Sequence, residues 1–226
     1  MKRFRKWAGL ILLVSLLVAG FYGMKSLEDR QLEDSTKKEL INHSHANPDV
    51  YAWLKVEGTN IDYPIAQHPN DDNYYLTHDL EHQATYYGAI FTEKINTKSF
   101  DDFVTIIYGH AIQDGSMFGS LENFSEQSIF ERYKTIEIET VDDKFSYDII
   151  AAYQMDDSHL FHSYKLGDKD RVKEYVLSLE SQARLQGGFY RFRPFDVEKD
   201  KLLILSTCDS QTDTKRYILH AVRRNE

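Results

Sequence analysis

Residues 7–24, WAGLILLVSLLVAGFYGM, run for eighteen positions without a charge. A stretch of that kind has few places to go in water. Lys2, Arg3, Arg5 and Lys6 precede it, and Lys25, Glu28, Asp29 and Arg30 follow. As a helix rising 1.5 Å per residue it would extend about 27 Å, near the thickness of a bilayer's hydrocarbon. The basic flank then predicts an N-in orientation with the C-terminal body outside. Val18-Ala19-Gly20 offers small residues for signal cleavage, but bulky Phe21, Tyr22 and Met24 follow at once. A retained anchor is therefore the expectation: a single-pass protein of the cell membrane with an extracytoplasmic body.

Beyond the anchor, the expected organisation is a charged helical stalk over residues 26–46 and one folded domain over 47–226. Leu27, Leu32, Leu40 and Ile41 are sparse apolar positions in the stalk, and Asn47-Pro48-Asp49 ends it, because proline disfavours helix in the residue before it. Short strand-like runs dominate afterwards: 104–108, 135–140, 145–153, 202–205 and 216–222. Thr135-Ile136-Glu137-Ile138-Glu139 alternates for one buried face, whereas Leu202 to Leu205 is continuously apolar and reads as buried on both faces. One helix is expected over 168–186. There Val172, Tyr175, Val176, Leu179 and Ala183 recur at three- and four-residue intervals, with Asp168 as N-cap and Gly187-Gly188 as terminator. No repeat or second domain is evident, so the body reads as a single mainly β domain with a few helices.

Charge and cysteine content exclude several functions. The chain carries 36 acidic and 27 basic side chains, a net charge of −9. Setting aside the four N-terminal cations makes the remainder more acidic still, and a body of that sign repels phosphate backbones, so no nucleic-acid partner is expected. Cys208 is the only cysteine, which rules out an intramolecular disulfide and a Cys-rich metal site.

A lone cysteine is most often a small buried hydrophobe. Cys208, however, ends the apolar run Leu202 to Leu205 where the sequence turns polar, and an unpaired thiol outside the cytoplasm is an oxidation liability. A useful thiol nucleophile needs a base or cation beside it. Arg216 lies eight residues on, and a hairpin could bring both strand ends to one rim. Its guanidinium keeps its charge and donates in a fork suited to a thiolate or oxyanion. Nine histidines compete as base. His110 ranks first because it follows an apolar strand and a glycine. His220 alternates inside a strand and reads as structural. The pairs His43/His45, His78/His82 and His159/His162 have chelating spacings, but each is only a pair in acidic, loop-like sequence and reads as surface. No metal site is expected.

Taken in order, four blocks resemble the sortases, membrane-anchored cysteine transpeptidases of Gram-positive bacteria, and class B most closely. They are Asn47-Pro48-Asp49 through Trp53-Leu54 to residues 58–67 (GTNIDYPIAQ); Asn73-Tyr74-Tyr75-Leu76; Ile107-Tyr108-Gly109-His110 with Met117-Phe118-Gly119-Ser120-Leu121; and Leu205-Ser206-Thr207-Cys208 with Arg216-Tyr217. The resemblance implies an eight-stranded β-barrel with an N-terminal helix and a helix between the sixth and seventh strands, matching 168–186. It implies Cys208 as nucleophile, His110 as proton carrier and Arg216 as oxyanion and substrate stabiliser. It also sets Leu76, Tyr108, Ser206 and Thr207 near the peptide groove.

The reaction so implied is cleavage of a C-terminal sorting signal after Thr through a thioester, followed by transfer to an amine. The partners would be surface proteins or pilins bearing that signal, and an amine of peptidoglycan precursor or a pilin lysine. That chemistry needs no metal or organic cofactor. A secreted cysteine hydrolase using the same nucleophile, and a membrane-tethered assembly or binding module with an inert site, are the rival readings.

Overall fold

The computed structural model describes residues 2–156, 159–209 and 215–224, with the side chains of most of residues 2–20, of Ser26, Glu28, Asp29 and Glu33, and of Cys208 and Asp209, outside that description. Two compact units result, residues 1–39 and 40–226. A helix α1, Lys2–Ala46, supplies all the described residues of the first unit. Its described apolar side chains there, among them Phe21, Tyr22, Met24 and Leu27, are exposed.

The expected single-pass anchor, and the cell-membrane localisation that followed from it, must be corrected. Among the described residues, no helix is long and apolar enough to cross a membrane. The physical reason among those residues is charge. From Lys25 onward, α1 is charged at Lys25, Glu28, Asp29, Arg30, Glu33 and Asp34.

In the second unit, nine strands follow in chain order: β1 Val50–Val56, β2 Asp62–Ala66, β3 Ile90–Thr92, β4 Val104–Ala111, β5 Thr135–Thr140, β6 Lys144–Asp156, β7 Phe189–Tyr190, β8 Leu202–Asp209 and β9 Lys215–Arg223. The hydrogen-bonded order is β5-β1-β2-β3-β4-β8-β9-β6-β7, and β5 also pairs with β6. Eight strands therefore close into a barrel, and β7 is a two-residue addition to β6. Two neighbouring pairs are parallel, β2 with β3 and β4 with β8. Short helices α2 (Tyr74–Thr77), α3 (Gln127–Arg132) and α4 (Leu160–Tyr164) lie in the connections.

The helix α5, Lys169–Leu185, falls between the sixth and seventh barrel strands. Its Asp168 cap accepts from the backbone N–H groups of Asp170 and Arg171, and Val172, Tyr175, Val176, Leu179 and Ala183 are its buried stripe. The Leu202 to Leu205 run divides by alternation. Leu203 and Leu205 join Ile107, Ile136 and Leu219 inside the barrel. Leu202 and Ile204 join the outer core with Val104, Ile106, Ile218 and the α5 stripe. Burial on both faces removes any need for a polar partner residue, which is why the run is continuous. Leu40, near the end of α1, is fully buried in that outer core.

Candidate active site

Strand register assembles the site. β4 runs parallel to β8 with Ile106 beside Ile204, Tyr108 beside Ser206 and His110 beside Cys208. β9 returns antiparallel to β8, with Leu202 opposite Val222 and Ser206 opposite Ile218. Two residues further, the same register brings position 216 level with position 208. The backbone N–H of Tyr217 donates to the Thr207 hydroxyl at 2.8 Å, and so ties the two strands just below that level. Positions 110, 208 and 216 share the alternation phase of Ile106, Ile204 and Ile218, the outer face of the sheet. The Cys208 side chain lies outside the described residues. His110 and Arg216 are half-buried.

β4 reaches further than its apolar run. It continues through Gly109 and His110 to Ala111, so His110 lies within a strand rather than beyond its end. Gly109 makes this passage possible, because a side chain there would overlap Ile90 and the ring of Phe118. Phe118 also donates its backbone N–H to the His110 carbonyl at 2.8 Å.

The imidazole of His110 is held at one nitrogen. Its Nε2 lies 2.7 Å from the carbonyl oxygen of Leu76. A carbonyl only accepts, so Nε2 carries a proton in both charge states of the ring. Nδ1 is buried and has no hydrogen-bond partner among the described residues. It is therefore the nitrogen at which a proton can be gained and lost. Leu76 contributes by its backbone, from the end of a short helix. Tyr86 contributes a ring 6.0 Å from that of His110, with 19° between the planes. Sequence reasoning does not single out Tyr86, because an exposed Tyr-Tyr pair carries no distinguishing pattern.

The remaining side-chain candidates are all buried. Tyr108 is buried and stacks on Phe91 at 5.5 Å. Ser206 and Thr207 are buried too, at 0% and 1% exposure. The Thr207 hydroxyl is committed to Tyr217, and the Ser206 hydroxyl reaches the Thr207 carbonyl only at 3.5 Å. These two residues support the strand ends from beneath.

His220 is a contrasting case. It is fully buried, its ring lies 5.3 Å from Tyr153 at 10°, and its Nε2 is 2.8 Å from the hydroxyl of Tyr175 on α5. Burial lowers its pKa to about 3, so it is a neutral core residue. Among the described residues, no group of three or more His, Cys, Asp or Glu side chains could hold a metal. Members of the three histidine pairs have local partners instead: His43 against Trp53, His78 stacked on Tyr74, and His159 3.1 Å from Glu93.

Comparison with known proteins gives a consistent picture. The sortase domain family model matches residues 54–224. Sortase B of Listeria monocytogenes is 28% identical over 192 residues, covering 85% of this chain and 76% of that protein. Clostridium perfringens sortase B superposes with a TM-score of 0.71 at 28% identity, covering 81% of this chain and 98% of the other. A class B sortase of Streptococcus pyogenes involved in pilus biogenesis gives a TM-score of 0.67 at 29% identity, covering 80% and 96%.

Proposed function

This chain belongs to the sortase family, as a class B cysteine transpeptidase, and from that premise we propose that Cys208, His110 and Arg216 carry its reaction on a C-terminal sorting signal. The observation that supports this most directly is the β4–β8 register, which sets the backbone of His110 beside that of the chain's single cysteine. Catalysis is assigned to the domain over 47–226.

In the first step the Cys208 thiolate adds to the carbonyl carbon of the signal's Thr. The electron pair moves to oxygen, and the Arg216 guanidinium offsets that charge. His110 gives its Nδ1 proton to the departing amine, the C–N bond breaks, and a thioester remains. The second step reverses the roles. An incoming primary amine adds to the thioester, neutral His110 takes its proton at Nδ1, and thiolate leaves. The Nε2–H bond to Leu76 persists throughout, so proton traffic is confined to one nitrogen. Leu76 and Tyr108 are proposed to border the peptide groove, with Ser206 and Thr207 shaping its floor.

The acceptor is an amine of cell-wall precursor or a pilin lysine. The likeness to the Streptococcus pyogenes enzyme of pilus biogenesis favours testing lysine first. Mass spectrometry of the products, with candidate sorting peptides and both kinds of amine, tests the reading. An amide between the Thr carbonyl and the amine is expected. Release of free acid at a rate indifferent to amine would indicate a cysteine hydrolase instead.

A further inference from the structure

Resting on the reading of His110 as proton carrier, we propose that Tyr86 is a positioning residue that clamps the His110 imidazole from its open face. Tyr86 is 62% exposed, so burial of apolar surface does not explain its place. Its ring nevertheless lies nearly parallel to that of His110, at the offset separation favoured by aromatic pairs.

The two contacts on His110 come from one strap. Residues 75–89 leave the barrel edge and return to it, and they are closed on themselves by backbone bonds. Ala89 donates to the Tyr75 carbonyl at 2.8 Å, Thr85 to the Thr77 carbonyl at 2.8 Å, and Asp79 to the Gln83 carbonyl at 3.0 Å. The Asp79 carboxylate accepts from the N–H groups of Glu81 and Gln83 at 3.0 and 2.8 Å. Gly88, at φ +58°, lies so close to the Tyr75 and Leu76 carbonyls that a Cβ would overlap them. The Leu76 carbonyl and the Tyr86 ring are thereby fixed on the same tightly bonded segment.

Their effects on His110 are complementary. The in-plane bond at Nε2 fixes how the ring is turned about its own bond to Cβ. A partner on the face limits tilt out of that plane, which the in-plane bond alone resists weakly. A ring held in this way stays aligned with the thiolate it is proposed to pair with.

The test uses iodoacetamide, whose alkylation of Cys208 reports the thiolate and needs no substrate. The rate is measured against pH on the full chain. The His110 ring protons, identified by their loss in His110→Gln, are followed by NMR. Tyr86→Leu is expected to slow alkylation near neutral pH, because a tilted imidazole pairs less well with the thiolate, and to shift the His110 ring signals. Tyr86→Phe, which keeps the ring and drops the hydroxyl, is expected to restore both. Unchanged ring signals and an unchanged alkylation profile in Tyr86→Leu would overturn the assignment. So would a Tyr86→Leu effect confined to the KM of a sorting peptide, since Tyr86 would then be a substrate contact. An alkylation profile untouched by His110→Gln would remove the proton-carrier reading itself, and the role of Tyr86 with it.

Discussion

Two histidines occupy the same outer face of one sheet and have opposite fates. His220 is level with Ile204 on β8, and His110 is level with Cys208, four residues further along that strand, or roughly 13 Å. Over His220 lies α5, whose Tyr175 supplies a hydroxyl while Tyr153 supplies a stacking face. Water is excluded there and the imidazole stays neutral. His110 lies beyond the helix-covered zone, half-buried, with one nitrogen tied and the other unpartnered among the described residues. The difference comes from what covers each position, since residue type and face are the same. A lid of apolar helix makes a histidine structural, and without one His110 keeps a nitrogen free for the proton transfer proposed for it.

The comparison breaks most readily at the open end. Cys208→Ala should abolish acyl-enzyme formation altogether, because no second thiol exists. His110→Ala should cost about 10²–10⁴ in turnover with little change in thermal midpoint, whereas His220→Gln should leave the shape of the pH–rate profile intact. An active His110→Ala enzyme would end the distinction. Arg216→Lys should lower turnover by about 10², a loss typical of removing one oxyanion donor, because an ammonium cannot reproduce the guanidinium fork. Near-wild-type turnover in that variant would remove Arg216 from the site.

At the covered end the effects are on stability. Folded His220 titrates at about 3, and an unfolded histidine at about 6.5. Between those values the unfolded chain binds the extra proton, so stability falls as pH drops. The expected loss from this group between pH 7 and pH 5 is about 2 kcal/mol. Denaturant titrations at the two pH values should show it in the wild type, and a smaller difference in His220→Gln, which keeps a hydrogen-bonding group and cannot titrate. The smallest effect concerns the covering helix. Asp168→Ala removes a cap that accepts two N–H groups and should cost about 1 kcal/mol without altering turnover. A larger cost would mean that the cap also holds α5 against the barrel.

What could be read in the chain follows the range of each interaction. β5 is legible because Ile136 and Ile138 alternate with Glu137 and Glu139. α5 is legible because its stripe and its Asp168 cap agree. The β8–β9 hairpin, and with it the level of Arg216 beside Cys208, is nearly local. The extension of β4 through Gly109 and His110 is hidden, because that pair carries no apolar signal and the strand persists only through pairing with β8. The Leu76 contact is hidden too, since a backbone carbonyl leaves no mark on residue type. The hydropathy of the run 7–24 predicts a membrane crossing that no helix among the described residues provides.

The proposed nucleophile and base reside on neighbouring parallel strands but are 98 positions apart in the chain. Parallel neighbours need a long crossover, and such distant contacts form late and slowly. The intervening crossover contains β5, β6 and α5, so a chain with its barrel unclosed has a thiol without its base. Reactivity at Cys208 can therefore serve as a stopwatch for completion of the fold. Strand formation by circular dichroism should precede fast alkylation during refolding, and the lag between them measures the last closure.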